Sequence, residues 1–432
     1  MVGNESIKKN TFIEESIVKE VCVITTTRAD YGLLRPLILE IKKSKKLELR
    51  LVVSGTHLLS DYGSTISEIE TDGITEITKF YIFQDIEKGE NNTTSIMANA
   101  LTAAGDYLKG YHPDAAVVYG DRYEMLAFAI AFANAKIPLI HICGGETTEG
   151  SLDEIYRHSL TKISNLHFVN CDMHRKRVIQ MGETPERVYN VGDTCVDNIM
   201  STKLLSEGEI RKYVHAPGKM DIVLVTYHPV TLELETVKKL DNMLSVIEKH
   251  DEFYYVFTKA NADFEGDIIN DRLGEFVTNH QNTTLVDSLG MLRYLSLLKI
   301  AKFMLGNSSS GLTEAPLFHI PTINVGNRQK NRCHGGTVID CNGDIDSIAK
   351  AFDIAMNHEF RETCLLEESI LGDGHAAEKM VHIMENQLEA GINIEKSFYD
   401  IDFEEDSTET HHAIVGTQKR LDVLRKSGEY SG

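Results

Sequence analysis

The stretch VCVITTTRADYGLLRPLILEIKKSKKLELRLVVSG (21–55) contains the repeating unit that decides the fold. Its first part, VCVITTT (21–27), is rich in β-branched residues and predicts a buried strand. YGLLRPLILEIKKS (31–44) carries apolar residues at helical spacing, and LELRLVVSG (47–55) predicts a second strand. Two strands joined by a helix-length connection predict a parallel pair with the helix packed on one face.

The same alternation continues along the chain. DAAVVYG (114–120) and KIPLIHI (136–142) predict strands on either side of the apolar helix EMLAFAIAFANA (124–135). After a polar stretch near 204–221, the pattern begins again with the strand DIVLVTYHP (221–229). We therefore predict an α/β protein of two Rossmann-like, doubly wound domains. Ligands of such sheets bind at the carboxyl ends of the strands, so the cleft between the domains is the expected site.

Length and composition limit the domain count and the classes of partner. The 432 residues exceed what one hydrophobic core usually serves. We predict an N-terminal extension (1–18), a first domain (19–205), a second domain (206–385) and a polar C-terminal tail (386–432). The net charge of −21 argues against a nucleic-acid polymer or an anionic membrane as partner.

The cysteines and the start of the chain predict a cytoplasmic location. Seven cysteines are scattered without a CxxC pair, which is typical of a reducing compartment. The first residues lack the apolar core of a signal peptide. No apolar run reaches the roughly 20 residues that a membrane-spanning helix needs.

A first candidate motif, YGDRYE (119–124), follows directly on a predicted strand. Asp121 and Arg122 therefore fall at the carboxyl end of that strand and face the predicted cleft. Asp121 could alternatively cap the helix that follows, but capping gives no role to Arg122. We interpret both as site residues, with Asp121 in a catalytic role.

A second motif, HICGGETTEGSLDE (141–154), concentrates carboxylates after the next strand. Its glycines let the backbone turn tightly and approach a ligand. Glu146, Asp153 and Glu154 raise one another's pKa when they lie close together, so some can hold a proton at neutral pH. Such a set can divide general-acid and general-base roles. An acid in the first turn of a helix also favours the helix dipole, which is the structural alternative for Asp153 or Glu154.

In the second half, GNSSSGLTEAP (306–316) predicts a helix that opens with small residues. Free N–H groups at a helix start, together with Ser308 and Ser309, suit an anion. Glu314 could accept hydrogen bonds from two ribose hydroxyls. Arg328 follows shortly afterwards and is a fork-shaped donor suited to phosphate.

His228 lies at the end of the strand 221–229, where it faces the same cleft. A structural role and a catalytic role are about equally compatible with that position. His141, inside an apolar strand, is typical of a packed core histidine. The chain has no HxH or HExxH spacing, so we predict no dedicated metal site.

Taken together and in order, these motifs resemble the hydrolysing UDP-N-acetylglucosamine 2-epimerases, a family that includes bacterial sialic-acid and legionaminic-acid pathway enzymes. The resemblance covers most of 20–385 and implies a glycosyltransferase-B-like arrangement, no cofactor, and a homodimer or homotetramer. The segments that carry it are TTTRADYGLL, VSGTHL, YGDRYE, HICGGETTEGSLDEIYRHSLTK, TYHPVT, GNSSSGLTEAP and NVGNRQKNR.

The resemblance also implies roles for individual residues. It implies catalytic roles for Asp121, Glu146, His228 and one of Asp153 and Glu154. Some members of the family have a catalytic glutamate where this chain has Cys143, so Glu146 is the nearest acid to that position here. The positions implied to hold the nucleotide sugar are Arg28, Arg122, His228, Asn261, Ser308, Ser309, Glu314 and Arg328.

The implied reaction converts UDP-N-acetylglucosamine and water to N-acetylmannosamine and UDP through 2-acetamidoglucal, for the biosynthesis of a sialic-acid-type sugar. Three alternatives remain open. The same reaction could act on a UDP- or GDP-linked 2,4-diacetamido-trideoxyhexose. The fold could instead serve a glycosyltransferase, which gives no reason for so many acids together, or a sugar-nucleotide-binding protein without activity.

Overall fold

The computed structural model describes residues 18–59, 65–84, 92–148, 151–230, 235–260, 266–330 and 332–401. Their strands form two parallel sheets, which confirms the predicted α/β class. The first sheet contains β1 (Lys19–Thr25), β2 (Leu47–Ser54), β3 (Ile77–Phe80), β4 (Ala115–Tyr119), β5 (Leu139–Ile142), β6 (Leu166–Val169) and β7 (Val188–Asn190). The second contains β8 (Asp221–Thr226), β9 (Phe253–Thr258), β10 (Thr283–Val286), β11 (Ala301–Gly306), β12 (Thr322–Val325) and β13 (Val338–Cys341).

Both sheets have the doubly wound strand order. The first runs β3-β2-β1-β4-β5-β6-β7 and the second β10-β9-β8-β11-β12-β13. The order reverses between β1 and β4 in one sheet and between β8 and β11 in the other. These are the points at which doubly wound sheets bind ligands, beyond the carboxyl ends of the strands.

Helices cover both faces of each sheet and bury two apolar clusters per sheet. They are α1 (Arg28–Lys43), α2 (Ile66–Thr71), α3 (Asn92–Tyr107), α4 (Tyr123–Asn134), α5 (Asp153–Ile163), α6 (Asp172–Gln180), α7 (Thr194–Ser201), α8 (Glu207–Tyr213), α9 (Thr236–Ile247), α10 (Gly266–Asn279), α11 (Gly290–Ile300), α12 (Ser310–Thr313), α13 (Ile345–Met356), α14 (His358–Leu366) and α15 (Ala376–Ala390). Among the described helices, none is long and apolar enough to span a membrane.

The last of the described helices, α15, returns to the first sheet. It packs against α1 and α7, and its apolar side chains belong to the same core as β1 and β2: Ala376, Ala377, Met380, Val381, Met384 and Leu388. The predicted boundary at 385 falls inside this helix. We call the first sheet with its helices and α15 the first lobe, and the second sheet with its helices the second lobe.

The chain beyond α15 stays on the first lobe up to Ile401, the last described residue of the predicted tail. Lys396 donates from Nζ to Glu183, whose side chain is only 1% exposed, at 2.7 Å. Lys162 at 2.6 Å and His167 at 3.0 Å contact the same carboxylate. These four residues form what we call the Glu183 cluster, and it fixes the start of the tail to the lobe. Of the predicted N-terminal extension, only Val18 lies within the described residues.

Candidate active site

Four polar side chains lie just beyond four neighbouring strands of the first lobe. Asp121 follows β4, Glu146 follows β5, Asn170 follows β6 and Asp193 follows β7. Because these strands are parallel and adjacent, their carboxyl ends bring the four residues to one edge of the sheet. The structure therefore brings together Asp121 and Glu146, as the sequence predicts.

Arg157 of α5 links the two predicted acids. Its Nη2 donates to Asp121, and its Nη1 donates to Glu146 Oε2 at 3.1 Å and to the carbonyl of Cys143 at 3.0 Å. The arginine side chain is 7% exposed, so its guanidinium contacts the two acids largely away from solvent. Asp121 makes this contact and does not cap α4, whose N-cap residue is Arg122. We call Asp121, Glu146, Arg157, Asn170 and Asp193 the acid cluster.

Arg157 was not among the predicted site residues. A signal was nevertheless present, because Arg157 falls three and four residues before the buried Leu160 and Thr161 and so shares the inner face of α5. A charged residue on the apolar face of a helix is rarely buried without a partner. Here the partners come from two other strand ends, which helical spacing alone does not reveal.

Burial shifts both acids toward their protonated forms. Desolvation raises the pKa of Glu146, and the lowering effects of Arg157 and Asn170 do not cancel it. Desolvation likewise raises the pKa of Asp121 despite the contact with Arg157. Carboxyl groups with raised pKa values can both accept and deliver a proton near neutral pH.

Asn170 orients the second oxygen of Glu146. Its Nδ2 donates to Glu146 Oε1 at 2.6 Å and to Asp193 Oδ2 at 3.0 Å. Asp193 in turn caps α7 by accepting a hydrogen bond from the backbone N–H of Cys195 at 2.8 Å. Both oxygens of Glu146 are therefore held by fixed donors, and its position is set in advance of any ligand.

The structure separates the roles of Asp153 and Glu154. Asp153 starts α5, accepts from Ser151 Oγ at 3.0 Å, and lies near enough to Asp121 to raise the pKa of that carboxyl. Glu154 accepts from the backbone N–H of Thr148 and from His158. Burial raises the pKa of Glu154, but these hydrogen bonds lower it overall. Asp153 is therefore the acid that lies near Asp121, whereas Glu154 holds the loop before α5 through the N–H of Thr148.

Cys143 adopts a left-handed backbone conformation, with a φ of 64°, at the end of β5. Such a conformation is uncommon for a residue other than glycine. The thiol donates to Tyr119 Oη at 3.3 Å, and burial raises its pKa, so it is neutral at physiological pH. One ligand atom from each of Cys143, Glu146 and Asp193 lies within 4.8 Å of the others. However, Arg157 already supplies the positive charge beside Glu146, so this set fits a metal ion poorly.

Two of the residues predicted to bind the sugar nucleotide are arginines of the first lobe, and both pair with a glutamate of that lobe. Arg28 begins α1 and pairs with Glu68 at 2.9 Å, with 71% of its side chain exposed. Arg122 pairs with the buried Glu124 at 2.6 Å. Asn261 lies outside the described residues.

In the second lobe, Asn307 links three of the predicted segments. Its side chain accepts from the backbone N–H of His228 at 2.7 Å and donates to the His228 carbonyl at 2.8 Å. Its own carbonyl accepts from Arg328 at 3.1 Å and from Gln329 at 2.8 Å. The ends of β8 and β11 and the segment after β12 are therefore held together, although Asn307 was not among the predicted site residues.

The serine run differs from the prediction. The small residues open only the single turn α12, which passes directly into a 3-10 helix at Ala315–Phe318. Ser308 Oγ accepts from the N–H of Ser310 at 3.3 Å, and Ser309 is the N-cap residue of α12. Pro316 explains the short helix, since proline has no N–H to continue the hydrogen-bond ladder.

Glu314 borders a cavity of about 390 Å³ beyond β9 and β10. Burial raises the pKa of Glu314, and the nearby Ser310 hydroxyl opposes the shift. Glu314 also lies near enough to Cys195 of the first lobe to raise the pKa of that thiol, after burial and Asp193. Glu314 therefore lies on the side of the second lobe that faces Cys195 and Asp193 of the first lobe. The other cavity residues are Thr258, Lys259, Ala260, Asp287, Ser288, Leu289, Gly290, Met291, Tyr294 and Leu295.

Comparison with known proteins identifies relatives of the whole two-lobed chain. Residues 39–385 match the sequence model of the family described as UDP-N-acetylglucosamine 2-epimerase. A Campylobacter jejuni protein named GDP/UDP-N,N'-diacetylbacillosamine 2-epimerase (hydrolyzing) is 35% identical, over 89% of this chain and 99% of its own length. The polysialic acid biosynthesis protein P7 of Escherichia coli is 34% identical, over 89% of this chain and 98% of its own.

Solved structures show the same fold at lower identity. The UDP-GlcNAc 2-epimerase of Neisseria meningitidis, crystallised with UDP-GlcNAc, superposes with a TM-score of 0.70 at 19% identity, covering 85% of this chain and 100% of that one. A Listeria monocytogenes protein described as a 2-epimerase of the same kind gives a TM-score of 0.71 at 16% identity, covering 89% and 100%. The glycosyltransferase-B-like arrangement that the sequence predicts is therefore confirmed.

Proposed function

The chain belongs to the UDP-N-acetylglucosamine 2-epimerase family, and we propose that it is a hydrolysing member that converts UDP-N-acetylglucosamine and water to N-acetylmannosamine and UDP. The observation that carries the proposal is the Arg157-linked pair of Asp121 and Glu146 beside the crevice. Hydrolysis with inversion at C2 needs one group to remove a proton and another to return one, and this pair supplies both.

The chemistry explains why carboxyl groups with raised pKa values suit this site. Carbon 2 of the sugar is not beside a carbonyl, so its hydrogen is poorly acidic. It becomes removable as the C1–O bond to UDP breaks and positive charge grows at C1. A carboxylate stabilises that charge and takes the C2 proton, which leaves 2-acetamidoglucal and UDP. Water then adds its hydroxyl to C1 and gives its other proton to solvent, while a protonated carboxyl delivers hydrogen to the opposite face of C2 and regains a proton from solvent.

We assign the two steps to different acids. Asp121, which has Asp153 nearby, removes the C2 proton. Glu146 delivers the second proton, because burial favours its protonated form. Arg157 stays bound to both throughout and limits the change in charge at each step.

In this proposal the second lobe holds the UDP group. Glu314, at the edge of the cavity, accepts hydrogen bonds from the ribose hydroxyls. Arg328, His228, Ser308 and Ser309 face the diphosphate. Arg28 and Arg122 approach it from the first lobe, after Arg28 exchanges its exposed pairing with Glu68 for the phosphate.

The test is incubation of the purified protein with UDP-N-acetylglucosamine in deuterated water, followed by analysis of the products. We expect free N-acetylmannosamine, UDP and one deuterium at C2. Asp121→Asn should block UDP release, whereas Glu146→Gln should release UDP and accumulate the glucal. Product without deuterium at C2 would exclude the elimination route, and near-normal formation of N-acetylmannosamine by Glu146→Gln would remove Glu146 from the mechanism.

A second candidate keeps the reaction and changes the sugar. The Campylobacter jejuni relative is named for N,N'-diacetylbacillosamine, a 2,4-diacetamido sugar, carried on GDP or UDP. The same assay with UDP- and GDP-N,N'-diacetylbacillosamine therefore runs in parallel. A kcat/KM at least tenfold above that for UDP-N-acetylglucosamine would reassign the substrate without changing the roles of the acids.

A further inference from the structure

A buried histidine of α6 contacts the asparagine that holds Glu146. His174 is 9% exposed and lies four residues after Asn170, and its Nδ1 forms a hydrogen bond with the side-chain oxygen of Asn170. The nitrogen of the same Asn170 amide donates to Glu146 Oε1 at 2.6 Å and to Asp193 Oδ2 at 3.0 Å. A chain of hydrogen bonds therefore runs from His174 through Asn170 to the acid to which we assign the second proton transfer.

The two acids decide which way the Asn170 amide faces. An ionised carboxylate only accepts hydrogen bonds. If the amide were reversed, its carbonyl oxygen would face the acceptors of Glu146 and Asp193. The amide nitrogen therefore points to the acids, and the amide oxygen needs a donor on its other side. His174 is that donor, so the ring proton lies on Nδ1.

His174 keeps this proton at neutral pH. Burial lowers its pKa to about 4, the nearby Arg177 and Arg157 act in the same direction, and Asp193 opposes them. The neutral ring carries a single proton, and the contact with Asn170 places that proton on Nδ1. The histidine is therefore a fixed donor and not a proton carrier.

The backbone of α6 is packed against the glycine loop that carries Glu146. Arg177 donates to the carbonyl of Gly145. Gly145 has a φ of 80°, and a Cβ at this position would collide with the carbonyl oxygen of His174. The glycine thus lets the loop lie directly on the helical turn that carries His174. Packing sets the distance between this turn and Glu146.

We propose that His174 is a positioning residue of the candidate site, which fixes the Asn170 amide so that Glu146 faces a hydrogen-bond donor in both its ionised and its protonated state. The proposal rests on the proposed function, because it concerns the acid that delivers the second proton. Without His174, the amide could reverse when Glu146 is protonated and would then accept the proton of that acid itself.

The fixed amide also directs the proton of Glu146. Oε1 accepts from Asn170 and Oε2 accepts from Arg157. A proton on the carboxyl group must therefore point away from both donors. The Glu146 side chain is 30% exposed, so the remaining direction is the open side of the site, where a substrate can take the proton.

Loss of the Asn170 donor should raise the pKa of Glu146, because the hydrogen bond from Asn170 favours the ionised form. The other ionisable groups that act on Glu146 or lie near it come from the rest of the acid cluster and from the ends of β4 and β5: Arg157, Asp121, Asp193, Cys143 and Tyr119. A substitution of His174 leaves all of these groups in the protein, so the change in pKa reports on the amide.

The first measurement is ¹⁵N NMR of the full-length protein labelled at histidine, with His174 assigned from the signal that His174→Asn lacks. At pH 7 we expect a proton on Nδ1 and none on Nε2. A proton on Nε2 with a bare Nδ1 would overturn the proposal. The tautomer is read without turnover, so the expected tautomer in a protein that releases no UDP would count against the proposed function and not against the hydrogen-bond chain.

The second measurement is the pH profile of N-acetylmannosamine formation by His174→Leu and His174→Asn. Leucine removes the donor, so kcat should fall on the order of tenfold with KM nearly unchanged. The alkaline limb, where Glu146 loses its proton, should move up by about one pH unit. Asparagine places an N–H near the position of Nδ1 and should restore most of both. An alkaline limb that stays in place in His174→Leu would overturn the proposal.

Ile179→Ala is the matched control, because it removes packing between α6 and the apolar cluster of Val169, Val178 and Val188 and leaves His174 in place. It should lower the urea midpoint and keep both the pH profile and the Nδ1 proton of the wild type. If Ile179→Ala moved the alkaline limb as His174→Leu does, the effect would come from the packing of α6, and His174 would have no positioning role.

Discussion

Two glutamates in the first lobe, one half-buried and one buried, have opposite electrostatic settings. Among the described residues, the half-buried Glu146 in the acid cluster pairs with one cation, Arg157, and desolvation leaves its pKa raised. At Glu183, burial also acts to raise the pKa, but hydrogen bonds from His167, Lys162 and Lys396 lower it to about 2. The number of donors that face each carboxylate, and not burial as such, decides which form the fold favours.

The comparison distinguishes an acid that can exchange protons from one that holds structure. Glu183 is ionised at neutral pH and joins α5, β6 and the chain after α15 through its partners. Glu146 shares its arginine with Asp121 and repels Asp193. Changes in the acid cluster should therefore affect turnover, whereas changes in the Glu183 cluster should affect stability.

The largest effect is expected for Arg157→Met. Removing the arginine leaves the half-buried Asp121 and Glu146 without this cation, which raises both pKa values further. Loss of a fixed charge that stabilises the transition state costs about 4 kcal/mol, so turnover should fall on the order of 10³-fold. Steady-state UDP release measures this.

Arg157→Lys is the matched control, because it keeps the charge but cannot contact both acids at once. It should lie between the wild type and Arg157→Met. Full turnover in Arg157→Met would mean that the clamp serves folding only, and the contrast with Glu183 would disappear.

Lys396→Met should give the opposite result. It removes one of the two lysines that contact Glu183 and should lower the free energy of unfolding by about 2 kcal/mol. Turnover per folded molecule should stay unchanged, because Lys396 lies outside the acid cluster. Urea denaturation measures the loss of stability, and UDP release by the same samples measures turnover. A loss of turnover with unchanged stability would contradict the assignment.

The same variant gives a pH prediction. The pKa of Glu183 falls from its ordinary 4.5 to about 2 in the folded protein, so the stability it contributes is complete above pH 4.5 and is lost as pH falls through 2. The stability gap between wild type and Lys396→Met should therefore narrow from pH 5 to pH 2. Urea midpoints at several pH values measure the gap, and a gap that widens in acid would contradict this sign.

The smallest effect is expected for Glu314→Gln in the second lobe. If Glu314 holds the ribose, the amide keeps the shape but weakens one charged hydrogen bond. KM should rise about tenfold, or ~1.4 kcal/mol, with kcat nearly unchanged. Glu367→Gln is the control, because Glu367 accepts a hydrogen bond from Gly336 and does not line the cavity. A fall in kcat alone would place Glu314 with the acid cluster.

Periodicity predicted most of the fold because it depends on local sequence. The predicted strands 21–27 and 47–55 correspond to β1 and β2, and 114–120 corresponds to β4. Periodicity could not predict which sheet α15 packs against. Its amphipathic pattern indicates a buried face but not which of the two sheets buries it.

The candidate site was predictable where residues follow strand ends, and not where a partner arrives from another element. Parallel strands fix the edge at which Asp121 and Glu146 lie. Arg157, Asn170 and Asn307 were missed because their partners are set by tertiary packing. The shortness of α12 was not predicted either. Small residues begin the helix, but Pro316 interrupts it within two turns.

The return of α15 to the first lobe has a consequence for biosynthesis. Met380 and Met384 pack with Leu34 and Ile38 of α1, although about 340 residues separate the two helices in the chain. A nascent polypeptide therefore leaves this apolar face of α1 uncovered until α15 has been synthesised. Translation products that stop before α15 should expose the face and aggregate more readily than the full-length protein.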